Sequence, residues 1–250
     1  MTTPTPFYFQ WEFWTAVIAL AALFLSQLPP LHTLLRKGKL KLEAYDRLHI
    51  THTLGNSNAQ LHLILINRGG RPLRVRSISL TLRRGNDAPF TLDAMNYYQS
   101  TGDTSTVMLT PFSLGEGQEW AHIVGFIAPF SRQDEQRFRQ IQSAMRADIQ
   151  AKKLLPGNAD VFVEADAATL NPAMAFFHQR FKWEPGEYAL TVRITAEPQQ
   201  ASVEKNYRII LFESDSADLR RYTDDYKYGL GVYFFSADRQ PGILPTLTEN

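Results

Sequence analysis

The chain has 250 residues, no cysteine, and 26 Lys and Arg against 25 Asp and Glu, with 44% hydrophobic residues. The missing thiols exclude cysteine catalysis, thiolate metal sites and disulfides. The near-neutral balance of +1 argues against a nucleic-acid-binding protein, which needs a basic footprint.

The overall balance hides a polarity. Residues 36–86 carry eleven Lys or Arg against Glu43 and Asp46, a surplus of +9, whereas residues 87–250 hold fifteen basic and twenty-two acidic side chains, or −7; Glu12 supplies the last charge.

The first element is an uncharged apolar run over 13–28, extended back to Trp11. Eighteen helical residues rise roughly 27 Å, close to the roughly 30 Å hydrocarbon thickness of a bilayer. A single N-terminal transmembrane helix is therefore expected over about 11–28, with Trp11, Trp14, Val17, Ile18, Leu20, Leu23, Phe24, Leu25 and Leu28 in contact with lipid. Phe7, Tyr8, Phe9, Trp11 and Trp14 suit an interfacial aromatic belt, and Pro29-Pro30 end the helix. No Lys or Arg precedes Arg36, so the pattern of a cleaved signal peptide is missing. All nearby positive charge follows the run. By the positive-inside rule this places the N-terminus outside and the body in the cytoplasm of a bacterium, at its inner membrane.

The expected layout is an N-terminal segment and helix in 1–35, a basic juxtamembrane linker in 36–41, a β-sandwich body in 42–238 and a tail in 239–250. Arg36, Lys37, Lys39, Lys41, Arg74, Arg76, Arg83 and Arg84 are candidates for contact with an anionic leaflet. Each basic side chain close to such a surface contributes about 1 kcal/mol, screened over roughly 8–10 Å.

After the linker, strands are predicted at 40–54, 60–66 and 73–82, separated by the turn residues of 55–58 and 67–70. Arg74 and Arg76 share a parity with Ile78, Leu80 and Leu82, which one flat strand cannot satisfy, so a bulge is expected near Ser77. Further strands are predicted at 104–109, 119–128, 161–165, 188–196 and 207–213. About eight strands with short turns argue for a mainly β, two-layer antiparallel sandwich. The succession resembles immunoglobulin-like or fibronectin-like domains, notably where the Trp183-Glu-Pro-Gly-Glu-Tyr turn feeds the alternating Ala-Leu-Thr-Val-Arg-Ile194 run, though without the cysteine pair of true immunoglobulin domains.

Helical insertions complete the reading. A capping box at Ser131 and Asp134, an apolar stripe of Phe138, Ile141, Met145 and Ile149, and Lys152-Lys153 before Pro156-Gly157 predict a helix in about 131–155. A second helix is predicted over about 215–227, and a short one after Asn171-Pro172. Tyr222, Tyr226, Tyr228, Tyr233 and Phe234 make the C-terminal region aromatic, and aromatics favour interfaces, so these five are the candidate contacts to a protein partner.

No phosphate-cradling glycine loop, nucleophile elbow or His-Glu-x-x-His sequence is present. Gly229-Leu-Gly231 lacks the third glycine of a dinucleotide fingerprint. His49 and His52 lie three apart on a strand, where alternation sends them to opposite faces, and the acidic groups of 160–166 and 215–225 lack the spacing of a calcium loop. No enzyme, cofactor or metal is expected. The expected function is a membrane-anchored scaffold subunit whose partners are the lipid bilayer and a protein, an accessory part of a multicomponent defence or envelope system, with no nucleic acid. Self-association through Ala16, Ala19, Ala21 and Ala22 or through a sheet edge, as a homo-oligomer, is open to it. The alternative keeps the fold and reverses the orientation: a periplasm- or surface-facing module that binds envelope polymers, carbohydrate or secreted protein.

Overall fold

A computed structural model describes residues 11–27, 37–100, 102–103, 105–158, 161–236 and 242–249. Helix α1 runs over Trp11–Gln27, seventeen residues, with its apolar side chains exposed. The expected span over 11–28 is not matched in full: among the described residues no helix is long and apolar enough to cross a membrane. Seventeen residues rise about 25 Å, a little less than the hydrocarbon thickness. Leu28 and Arg36 lie outside the described residues, while 37–41 of the expected linker are described.

Beyond it the chain is mainly β. Its strands are β1 (Leu40–Ala44), β2 (His49–Thr53), β3 (Asn56–Asn67), β4 (Leu73–Arg84), β5 (Phe90–Tyr98), β6 (Val107–Met108), β7 (Phe112–Leu114), β8 (Glu119–Ile127), β9 (Gly186–Glu197), β10 (Val203–Leu211) and β11 (Thr248–Glu249). All belong to one antiparallel sheet of order β1-β3-β8-β5-β4-β9-β10-β11, with β2, β6 and β7 added beside β3, β5 and β4. The predicted strand at 40–54 is broken in two: β1 and β2 pair with successive stretches of β3, Leu40 opposite Asn67 and His49 opposite Gln60.

The expected C-terminal tail is a working part of the sheet. Thr248 and Glu249 pair with Arg208 and Tyr207 of β10, while Thr246 and Ile243 bridge Arg47 and Ile50 on the opposite edge. Ile50 and Ile243 exchange backbone hydrogen bonds of 2.9 and 3.0 Å, the Leu247 N–H donates to the Asp46 carbonyl at 2.8 Å, and the Leu247 side chain is buried. The last residues thus stitch the two margins of the sheet together, and the antiparallel sheet curls around one core.

Alternation fills that core. Tyr188, Leu190, Val192, Ile194 and Ala196 of β9 are buried, as are Leu61, Leu63 and Leu65 of β3 and Ile78, Leu80 and Leu82 of β4. The register between β4 and β9 shifts between Val75 and Ser77. Arg76 is the extra residue of this bulge, so Arg74 and Arg76 stay exposed while Val75 and Ile78 both turn inward. The conflict of parity is resolved as the sequence required.

Three helices follow: α2 (Arg132–Lys153), α3 (Ala167–Arg180) and α4 (Glu213–Arg221), the last continued by a 3-10 turn over Tyr222–Tyr228. Ser131 caps α2, its Oγ accepting from the Asp134 N–H at 3.1 Å, and Ile141, Met145 and Ile149 are its buried stripe. Helix α3 starts before Pro172 instead of after it; a proline this near an N-terminus removes only one intrahelical bond. The predicted strand at 161–165 is instead irregular chain leading into α3, and the one predicted at 104–109 is limited to β6.

Candidate functional surfaces at the two ends of the sheet

The helices gather at one end of the curled sheet. Leu54 and Gly55, at φ 51° and 81°, make the tight turn from β2 to β3, and a Cβ on Gly55 would lie 2.5 Å from the Phe177 carbonyl oxygen. Only glycine lets α3 approach this turn so closely. His52, at 1% exposure, sits beneath it among the rings of Phe177, Phe181 and Tyr222. The Gly55 N–H donates to Nδ1 at 3.2 Å, so Nε2 carries the proton and donates to the Leu219 carbonyl at 2.8 Å. Burial pushes the imidazole pKa down to about 4, against a smaller upward pull from the Leu219 carbonyl. Trp183 completes this plug: it is fully buried, stacks edge-on with Phe90, and its indole N–H donates to the Thr51 carbonyl at 3.1 Å.

The opposite end is made of turns. There Asn67, fully buried, holds the turns at 69–71 and 114–115 together. Its Oδ1 accepts from the Gly69 N–H at 3.0 Å, and its Nδ2 lies 2.9, 3.1 and 3.0 Å from the carbonyls of Arg71, Leu114 and Gly115. The chain that arrives from the N-terminal side is laid against this knot, with the Arg68 N–H donating to the Lys39 carbonyl at 2.8 Å. A Cβ on Gly69 would fall 2.4 Å from the Lys37 carbonyl oxygen, which fixes glycine there. Lys37, Lys39, Arg68, Arg71 and Arg74 are all exposed at this end.

The predicted leaflet set divides accordingly. Lys37, Lys39 and Arg74 lie at the turn end. Arg83 and Arg84 lie at the other end of β4, where Arg84 is bound to Asp87 at 2.8 Å. Lys41 pairs with Glu43, whose carboxyl is held below the usual range by that lysine, and Arg76 pairs with Glu197 at 2.7 Å. Arg68 and Arg71 were legible as charges, but only the fold brings them beside Lys37 and Lys39.

The predicted partner contacts also divide. Tyr222 and Tyr226 are buried in the plug and are corrected to core residues: their helical spacing faces inward onto Phe177 and His52. Tyr228 is half-buried beside Phe162 and donates to Glu164 at 3.1 Å; Tyr233 lies under the Arg146 guanidinium; Phe234 is exposed. Leu154, Leu155, Val161 and Phe162, between α2 and α3, form an exposed apolar group.

Cavities are open and mixed in character. One of about 350 Å³ lies in the wedge where the C-terminal segment leaves β10, lined by Arg47, Arg208, Ile210, Phe212 and Leu244. Another of about 470 Å³ is lined by Arg84, Asp87, Phe90, Phe181, Glu184 and Tyr188. Burial raises the Tyr188 hydroxyl to about 12, and it donates to the carbonyls of Lys182 and Glu184, so it is a structural tie with no readiness to exchange a proton at neutral pH. Among the described residues no group of three His, Asp or Glu side chains converges for a metal ion. No protein-family model, curated protein or solved structure matches this chain.

Proposed function

We propose that the protein is a membrane-tethered, non-enzymatic scaffold subunit: α1 holds it on the bacterial inner membrane, and the β-rich body, on the cytoplasmic side, recruits a protein partner. The observation that carries this reading is α1. From Phe13 onward it bears no charge, and Trp14, Val17, Ile18, Leu20, Leu23, Phe24 and Leu25 are all exposed. A helix apolar on every side needs cover. Lipid is the cover in this reading: the seventeen described residues rise about 25 Å, short of the roughly 30 Å hydrocarbon thickness, and Trp11 and Trp14 at the start suit the interface. Insertion with the N-terminus outside follows from the positive charges lying after the apolar run.

The immunoglobulin-like description of the body is part of the same reading, supported by the strand succession and the Trp183–Tyr188 turn. For the partner, the exposed Leu154, Leu155, Val161 and Phe162, with Tyr228 beside Phe162, are the favoured seat, because exposed apolar side chains between α2 and α3 offer area to bury.

Three measurements test this. The full chain should fractionate with membranes, and Leu20→Asp with Leu23→Asp should release it; a doubly substituted chain that stays membrane-bound removes the tether. The absence of cysteine makes Glu204→Cys a clean probe of sidedness: a membrane-impermeant maleimide should label it only after permeabilisation, and labelling of intact spheroplasts reverses the orientation. Finally, Phe162→Asp should abolish co-purification of a specific protein without lowering Tm, and undiminished co-purification removes that seat.

A further inference from the structure

We propose that the turn end of the sheet is a second contact with the same membrane, in which Lys37, Lys39, Arg68, Arg71 and Arg74 dock on an anionic lipid leaflet. The inference rests on the tether reading of α1 and sharpens it: the body is held flush against the bilayer by this end instead of swinging from the connector.

Charge complementarity carries it. Five cations from three chain segments are brought to one rim, and among the described residues none of them is in an ion pair. The acids nearby do not balance them. Glu43 is engaged by Lys41 and Glu197 by Arg76, which leaves Glu116 in the turn after β7, itself in contact with a neighbour, and Glu119 at the start of β8, opposite Ile66, as further carboxylates at this end: two against five cations. An unpaired cationic rim gains most from a surface that presents many negative groups at once.

Continuity is the second argument. Lys37 and Lys39 belong to the segment arriving from α1, and Asn67 and Gly69 pin that segment to the turn bearing Arg68 and Arg71. A membrane that holds α1 therefore meets this end of the sheet before any other. Arg83 lies nine positions along β4 from Arg74, roughly 30 Å at about 3.3 Å per residue, well beyond the roughly 8–10 Å over which salt screens a charge. It is outside the contact.

The test measures co-sedimentation of the full chain with vesicles of phosphatidylcholine alone and of phosphatidylcholine mixed with phosphatidylglycerol. The anionic lipid should tighten binding by about tenfold or more at low salt, and high salt should remove the gain. Arg71→Gln should cut the gain several-fold, the five-fold Gln substitution of Lys37, Lys39, Arg68, Arg71 and Arg74 should abolish it, and Arg83→Gln should leave it intact. Arg68→Lys with Arg71→Lys and Arg74→Lys, which keep charge, should retain it, and this separates electrostatics from misfolding. An undiminished gain in the five-fold variant, or an equal loss in Arg83→Gln, overturns the proposal. Failure of the wild-type chain to bind neutral vesicles would remove the tether of α1 separately, and the anionic gain would still decide the rim.

Discussion

The two ends of the curled sheet are each pinned by one buried polar side chain, and the two pins differ in kind. At the helical end His52 joins the β2–β3 turn to the Leu219 carbonyl of α4, among aromatic rings. At the turn end Asn67 joins two loops, among exposed cations. A histidine can be protonated in the range where proteins work and an amide cannot. The helical end is therefore acid-sensitive and thick with apolar packing, while the pin of the turn end does not titrate and stands among cations exposed to solvent.

The largest break in that contrast should come from Trp183→Ala, which empties the plug and strands the Thr51 carbonyl: about 3–5 kcal/mol by denaturant unfolding. A loss under about 1 kcal/mol would mean the helical end is not packed as described. Leu247→Ala, on the seam that closes the sheet, should cost about 2–4 kcal/mol, and truncation after Gly242 should cost more, with new aggregation through the two freed edges. Acid should strike next. The unfolded imidazole titrates near 6.5 and the folded one at about 4, so between these values the unfolded chain binds more protons and stability rises with pH. The contribution is complete above pH 6.5 and is lost as pH falls toward 4, about 3 kcal/mol in all. His49, also lowered by burial, acts in the same direction. His52→Gln should flatten the dependence of Tm on pH over that window; an unchanged slope would assign it elsewhere. Asn67→Ala should cost about 2 kcal/mol with no change in that slope. The smallest effect belongs to the rim: Arg71→Gln should change stability by less than about 0.5 kcal/mol, which makes its loss of anionic-lipid binding a surface effect.

Local pattern made several elements legible. The α2 helix needed only Ser131, its apolar stripe and Lys152-Lys153, because capping and periodicity act within a few residues. The bulge at Arg76 followed from parity alone, since a regular strand would place Arg74 and Ile78 on one face and only an extra residue sends them to opposite faces. Strand β5 was missed because its residues are mostly half-exposed, with Asp93 and Asn96 breaking the apolar alternation, and its pairing with β4 and β8 comes from distant chain. The aromatic C-terminal region misled for a related reason: tyrosines suit an interface and a core equally well, and only the packing of α3 and the turn over Tyr222–Tyr228 onto His52 decides that Tyr222 and Tyr226 are inside.

By itself the sequence determined the apolar character of residues 13–28, the concentration of positive charge after them and the β-rich body, because each depends on composition or on a short repeat. Tertiary structure alone decided that the final residues close the sheet, that Arg68 and Arg71 join Lys37 and Lys39, and that His52 is buried. Each of these joins groups far apart along the chain, and no local periodicity encodes which distant backbone a strand edge or a guanidinium will meet.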